Sequence, residues 1–120
     1  MFGLKADSEN RHRIFIETVL EKGVIWGLRS EDGWAIAPST EYEEANVMPF
    51  WSHRGAAKAA AQDEWSDYEP TEIVLATFID SWLCNMHEDG LLVGTNWNAN
   101  LLGMEIEPID LAQVLDSADD

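Results

Sequence analysis

A single small α+β domain is the fold that the sequence predicts, with an antiparallel or mixed sheet that carries helices mainly on one face. Long segments with helical apolar spacing or many alanines alternate with short apolar runs that end at Gly, Asp or Pro. The length of 120 residues suits one domain with one core. We expect an ordered core over about residues 7–115 and a frayed acidic end over 116–120.

The individual elements follow from apolar periodicity and from Gly and Pro as breakers. In chain order they are a helix over 7–22, strands over 24–30, 34–37 and 45–50, a helix over 52–65, a loop over 67–71, a strand over 72–75, a helix over 76–88, strands over 91–95 and 104–107, and a helix over 108–115. The last two strands are expected to form a hairpin across a polar turn.

Particular residues mark the ends of these elements. Asp7 or Ser8 is expected to cap the first helix and Gly23 to end it, while Ser52 is expected to cap the second helix. Pro49 indicates an edge strand or the end of strand pairing, because proline cannot donate to a strand ladder.

The first hairpin has two plausible registers. A two-residue turn at Asp32 and Gly33 would place large apolar side chains opposite charged ones. A three-residue turn over 31–33 instead makes Leu28 face Ile36 and lets Trp26 share a face with Trp34, which gives one apolar side. The sequence therefore favours the three-residue turn.

Cysteine usage and hydropathy indicate a cytoplasmic protein. Cys84 is the single cysteine, so the chain has no internal disulfide and is typical of a reducing compartment. We expect Cys84 to pack in the third helix as a small hydrophobic residue. The chain begins without an apolar leader, and no run approaches the roughly 20 apolar residues of a membrane span.

The net charge of −16 restricts the classes of partner. A field of this sign repels nucleic-acid phosphates and anionic membranes, whereas it attracts basic proteins and cations. Direct nucleic-acid binding is therefore disfavoured, and a basic protein is the expected partner. The alternative interpretation is that the charge serves solubility alone.

Two short segments are candidate binding sites. Trp51, Ser52, His53 and Arg54 place an indole, a hydroxyl and two cationic groups at a predicted helix start, where a carboxylate or phosphate could bind. The alternative is that Arg54 pairs with a carboxylate of the protein itself while His53 packs against Trp51.

The second candidate segment is Asn96, Trp97 and Asn98, because a tryptophan inside a polar segment can line a pocket or an interface. The alternative is that Trp97 belongs to the core, as most of the six tryptophans should.

The sequence predicts no catalytic residue, cofactor or metal site. It contains no nucleophile-elbow serine and no Gly-rich phosphate loop. His87, Glu88 and Asp89 could bind a divalent metal together with His12 or His53 only if the fold brought them together, and the spacing does not indicate that it does.

Several ordered blocks resemble a known family. They are WGLRSEDGW at 26–34, MPFWSHR at 48–54, MHEDG at 86–90 and NWN at 96–98. Together they resemble the bacterial family known as domain of unknown function 2750, over about residues 13–115. The resemblance implies a bacterial stand-alone domain and no particular activity. A weaker likeness, in the acidic Asp-Gly-Trp turn and the small acidic format, is to immunity proteins that neutralise bacterial toxins.

Three hypotheses follow from the sequence. The first is a noncatalytic acidic binding or protein-interaction domain, in an immunity-like or regulatory role. The second is a small-molecule or anion-binding domain, or a weak enzyme, with a pocket near Trp51, His53 and Arg54. The third is a homo-oligomer that associates through exposed aromatic surface.

Overall fold

Four helical elements make up the helical part of the described chain. The structure is a computed structural model that describes residues 2–98 and 101–118, with side chains described over 7–98 and 101–116. The helices are α1 (Phe2–Lys22), α2 (Arg54–Ala60), α3, which joins Leu75–Thr77, a π-helical turn at Phe78–Trp82 and Leu83–Asp89, and α4 (Pro108–Ala118). A 3₁₀ turn, Asp63–Trp65, follows α2.

Seven strands in the described residues form two small sheets. They are β1 (Val24–Ser30), β2 (Gly33–Trp34), β3 (Ala37–Pro38), β4 (Asn46–Phe50), β5 (Glu69–Val74), β6 (Leu92–Thr95) and β7 (Met104–Ile106). One sheet has the order β2-β1-β5 and the other has the order β3-β4-β6-β7. A bridge between Trp26 and Trp51 connects the two sheets through backbone hydrogen bonds of 2.9 and 2.8 Å.

Apolar side chains pack on both faces of these sheets. One cluster joins α1, α3 and α4 to alternate residues of the strands. Its members include Phe15 of α1, Ile25 of β1 and Val93 of β6. The other cluster places α2 and Trp65 against the remaining strand residues, such as Leu28. Because three helices share one face and only β4 and β6 run parallel, the α+β prediction with a mixed sheet and helices mainly on one face is confirmed.

Helix α1 begins earlier than its polar residues indicate. Asp7 and Ser8 lie inside the helix rather than at its cap, and their side chains bind Arg11 instead. This part of the prediction was wrong, because the i,i+3 and i,i+4 pairs with Arg11 offer these side chains a partner within the helix. The end was predicted correctly, since Gly23 follows Lys22 with a φ of 74°.

The predicted register of the first hairpin was wrong. Ser30 pairs with Gly33 and Arg29 pairs with Trp34, so the turn consists of residues 31 and 32 and matches neither of the two registers considered. As a result Trp34 packs in the cluster of α1, α3 and α4, whereas Trp26 packs in the opposite cluster. Since both faces of β1 are apolar and covered, alternation of apolar residues could not select the register.

The predicted strand 34–37 is divided between the two sheets. Trp34 pairs with β1, and Ala37 pairs with Val47 of β4. Ile36 lies at the crossing and exposes 44% of its surface.

Pro49 pairs with Gly94 of β6 but lies beyond the last pair of β3 with β4, so pairing on that side of β4 ends before the proline, as predicted.

Two ends in the middle of the chain differ from the predictions. Pro70 belongs to β5 opposite Leu28, where a loop was predicted. The second helix ends at Ala60 rather than near residue 65, with Ala61 outside helical geometry at a ψ of 70°.

The C-terminal half largely confirms the predictions. Helix α3 ends at Gly90, which has a φ of 73°, and β6 and β7 form the expected antiparallel hairpin. Helix α4 starts at Pro108 as predicted but continues to Ala118, past the expected end near residue 115. Residues 119 and 120 of the predicted acidic end lie outside the described residues, as does Asn100 of the polar turn.

Candidate functional site

The two candidate segments meet in the structure. Trp51, Ser52, Asn96 and Trp97 form one buried cluster, which we call the polar junction. The indole Nε1 of Trp51 donates to the carbonyl of Trp97 at 2.9 Å. The backbone N–H of Ser52 donates to Asn96 Oδ1 at 2.8 Å, and Asn96 Nδ2 donates to the Ser52 hydroxyl at 2.9 Å. The junction thus joins the end of β4 to the end of β6.

Helix α1 is attached to the same junction. Arg11 donates from Nε to the carbonyl of Asn96 and from a terminal nitrogen to the carbonyl of Leu102, both at 2.9 Å. Asn96 Nδ2 donates in return to the carbonyl of Arg11 at 3.3 Å. Asn96 itself has a φ of 47°, a conformation that asparagine tolerates better than most residues. These contacts occupy Arg11 and leave it unavailable to an external anion.

Trp97 lies between two glycines. A Cβ atom at Gly94 would come within 2.6 Å of its ring, and one at Gly103 within 2.3 Å. Its Nε1 donates to the carbonyl of Met104 at 3.0 Å. Asn98 continues the turn, where its backbone N–H donates to the carbonyl of Leu102 and its Oδ1 accepts from the backbone N–H of Leu102.

Burial divides the seven sequence-predicted site residues. Trp51, Ser52 and Trp97 expose 0%, 2% and 4% of their surface, and Asn96 is also buried. These four therefore have internal partners and no open surface for a ligand. Asn98 is half-buried, and His53 and Arg54 are exposed.

The cap expected from Ser52 at the start of α2 is not formed. Ser52 lies before the cap position, which His53 occupies without a side-chain hydrogen bond to the helix. Within residues 2–98 and 101–118, no carboxylate lies within 4.0 Å of the Arg54 guanidinium. The alternative interpretation of Arg54 as an internal ion-pair partner is thus not met, and α2, with seven residues, presents only a short helix end.

The three histidines occupy different settings. His12 is half-buried and shares a 2.8 Å hydrogen bond between its Nδ1 and the hydroxyl of buried Thr95. Burial lowers the pKa of His12 below its ordinary value of 6.5. His53 and His87 are exposed. No group of three or more His, Cys, Asp or Glu side chains in the described chain is placed to hold a metal ion.

Comparison with known proteins gives a family. The family model described as protein of unknown function DUF2750 matches residues 12–115. The chain belongs to this family. No curated protein and no solved structure matches the chain. The family description names no activity, so the function of this DUF2750 domain must be argued from its own surface.

A surface cleft of the DUF2750 domain was not foreseen from the sequence. It has a volume of about 460 Å³ and an apolar wall formed by Ile36, Pro38, Trp65 and Leu101. Asp63 and Glu64 line the same cleft. Its residues come from the sheet crossing, the 3₁₀ turn and the segment before β7. No local motif joins these three segments, so a single sequence gives no signal of their meeting.

A smaller cleft lies on the other side of the sheets. It has a volume of about 260 Å³ and is lined by residues that include Met48, Trp82, Asn85 and Asp89. Cys84, on the same helix α3, is exposed, so the expectation that it packs as a buried residue was wrong. The helix turns Leu83 and Met86 inward instead.

Most acidic side chains of the domain have no basic partner. In the part of the chain that the structure describes, the ion pairs within 4.0 Å are Asp7 with Arg11 and Glu17 with Arg13, both on α1. Glu105 accepts hydrogen bonds from Ser39 and Thr40. None of the described helices is both long and apolar enough to cross a bilayer.

Proposed function

We propose that this DUF2750 domain is a noncatalytic cytoplasmic binding protein whose partner is a basic protein. The observation that carries the proposal is the lack of internal neutralisation. The chain has 23 acidic and 7 basic residues, and the ion pairs found in its described part are confined to α1. Most of the described carboxylates are therefore not paired with basic side chains of the domain itself and can interact with a partner.

A surface of this kind acts on the encounter with a partner. An uncompensated charge of one sign accelerates association with a partner of the opposite sign and rejects partners of the same sign. The same reasoning opposes a homo-oligomer, because two copies would each bring a net charge of −16 to the contact.

The small-molecule or anion-binding alternative near Trp51, His53 and Arg54 has weaker support. Trp51 is fully buried, and the only polar atom of its side chain, Nε1, already donates to the carbonyl of Trp97. Of this group His53 and Arg54 are exposed, at the start of the seven-residue helix α2. An enzyme at this position would need a concave site around these residues, and neither of the two clefts described above is lined by them.

Affinity capture tests the proposal. The domain is immobilised through its C-terminus and exposed to lysate of its source organism at about 50 mM and about 500 mM salt. We expect one basic protein to be retained in stoichiometric amount at low salt and released at high salt.

The matched control is an unrelated folded domain of similar size and net charge. A partner retained equally by that domain would indicate simple ion exchange and contradict the proposal. The absence of any basic protein among the retained species would contradict it as well.

A further inference from the structure

The cleft lined by Ile36, Pro38, Trp65, Leu101, Asp63 and Glu64 combines two features that point to a polypeptide partner. Its wall is apolar, and Ile36, one of the residues that line it, exposes 44% of its surface. Its volume of about 460 Å³ falls within the range of roughly 300–1,000 Å³ that is usual for ligand sites. Such a cleft accepts an apolar side chain.

The rim of the cleft is acidic. Asp63 and Glu64 are exposed, and neither has a basic side chain within 4.0 Å in the described residues. The exposed residues Glu41, Glu43 and Glu44 follow Pro38 closely in the chain. Since a residue spans at most about 3.6 Å, Glu41 lies within roughly 11 Å of Pro38. The charged residues that line the cleft, Asp63 and Glu64, are thus both acidic.

The backbone around the cleft is also unusual. Asp63 and Leu101 both line it, with φ values of 52° and 62°. A bulky residue such as leucine rarely adopts this left-handed conformation, which must be maintained by the surrounding structure. Leu101 packs against the cluster that contains Trp65, which also lines the cleft.

We infer that this cleft is the docking site for a basic segment of the partner protein, in which one apolar side chain enters the cleft and flanking Arg or Lys residues meet Asp63 and Glu64. This inference rests on the proposed function and adds the position and the chemistry of the contact. The apolar contact supplies affinity from desolvation, whereas the flanking charges select a basic segment over others.

Binding of a defined peptide tests the inference. The probe is a fluorescent arginine-rich peptide with one central leucine, and the comparison peptide has glycine in place of that leucine. By fluorescence anisotropy at about 50 mM salt, we expect the unmodified domain to bind the leucine peptide at least about fivefold more tightly than the glycine peptide.

Two pairs of variants locate the contact. The double variant Asp63→Asn, Glu64→Gln should weaken binding of the leucine peptide at least about fivefold. The control double variant Asp80→Asn, Glu88→Gln makes an equal charge change on α3 and should change the affinity less than about twofold. Ile36→Ser should remove the preference for leucine. Val74→Ser, which alters another exposed apolar residue, should retain the preference.

Amide chemical shifts of the unmodified, isotope-labelled domain give a second readout that needs no variant. We expect the leucine peptide to shift the amides of Ile36, Glu64, Trp65 and Leu101 most. Equal effects of the two acidic pairs, shifts centred elsewhere, or no binding of the peptide would each overturn the inference. Retention of a salt-sensitive basic partner in the capture experiment would still support the proposed function, so the two failures are distinguishable.

Discussion

Trp97 illustrates how single residues determine the candidate site. The sequence places it in a polar segment, which is why a binding role was predicted, yet it is buried between Gly94 and Gly103. The two glycines were a signal in the sequence, because absent side chains near an aromatic residue allow close approach. The sequence alone could not show that both glycines contact Trp97, because this contact depends on the conformation of the turn between β6 and β7.

Substitution of these glycines is expected to destabilise the fold. Gly94→Ala or Gly103→Ala would place a methyl group inside the contact radius of the Trp97 ring. We expect a loss of about 1–3 kcal/mol in the free energy of unfolding by urea. Gly55→Ala is the matched control, because nothing lies within 4 Å of its added methyl group. The control should stabilise α2 by roughly 0.5–1 kcal/mol. If it lost as much unfolding free energy as Gly94→Ala or Gly103→Ala, the packing of Trp97 would be contradicted.

Asn96 is expected to be a structural residue of the polar junction. Asn96→Ala removes the acceptor for the backbone N–H of Ser52 and the donor to the carbonyl of Arg11. Leaving these buried groups unpaired should cost about 1–3 kcal/mol in the free energy of unfolding.

The exposed Asn85→Ala provides the control for loss of an asparagine side chain, and it should be nearly neutral. Asn96→Gly keeps the positive φ but not the hydrogen bonds. If Asn96→Gly restored full stability, the backbone conformation rather than the hydrogen bonds would explain the effect.

His12 is expected to make stability depend on pH. Its pKa in the folded state lies below the ordinary value of 6.5, because burial disfavours the charged ring. The unfolded state therefore binds the proton more readily, and the contribution of His12 is fully present above about pH 6.5 and is lost as pH falls through the folded pKa.

The difference in unfolding free energy between the unmodified domain and His12→Gln isolates this contribution, because the many carboxylates are common to both proteins. We expect the difference to shrink as pH is lowered from about 8 to about 5. A difference that stays constant or grows over this interval would contradict the burial of His12.

At the scale of elements, the helices were easier to predict than the strand register. Gly23 and Gly90 end α1 and α3 where the sequence indicates, because a left-handed residue after a helix is a local requirement. The register of β1 with β2 depends on which helix covers each face, and both faces of β1 are apolar. Alternation is informative only where one face meets water.

The start of α2 shows the same limitation. A serine before an alanine-rich segment predicts a cap, but the hydroxyl of Ser52 is bonded to Asn96, which is 44 residues away in the chain. A tertiary hydrogen bond thus replaced the local one. His53 and Arg54 remain exposed as a consequence, since they follow the buried serine into the first helical turn.

Helix α3 gives a prediction about Cys84. The helix turns Leu83 and Met86 inward and leaves the thiol exposed. We expect Cys84 in the folded domain to react with a thiol reagent at a rate within about tenfold of its rate in the urea-unfolded chain. Protection of the thiol by more than about a thousandfold would show that α3 is rotated from the described orientation.

For the whole molecule, charge was the property that the sequence predicted most directly. A net charge of −16 can be counted, and the confinement of the described ion pairs to α1 is what the structure adds. The fold class and the family also followed from the sequence. The acidic cleft did not, because residues 36–38, 63–65 and 101 become neighbours only after both sheets have formed.

The salt dependence of partner binding shows whether the acidic surface of the domain recognises a basic protein. The dissociation constant of the domain and its captured basic partner is measured by calorimetry between about 50 and about 500 mM salt. We predict that the dissociation constant rises at least about tenfold over this range, because an uncompensated acidic surface is screened by salt. A dissociation constant that stays the same within twofold would contradict the claim that the acidic surface recognises the partner.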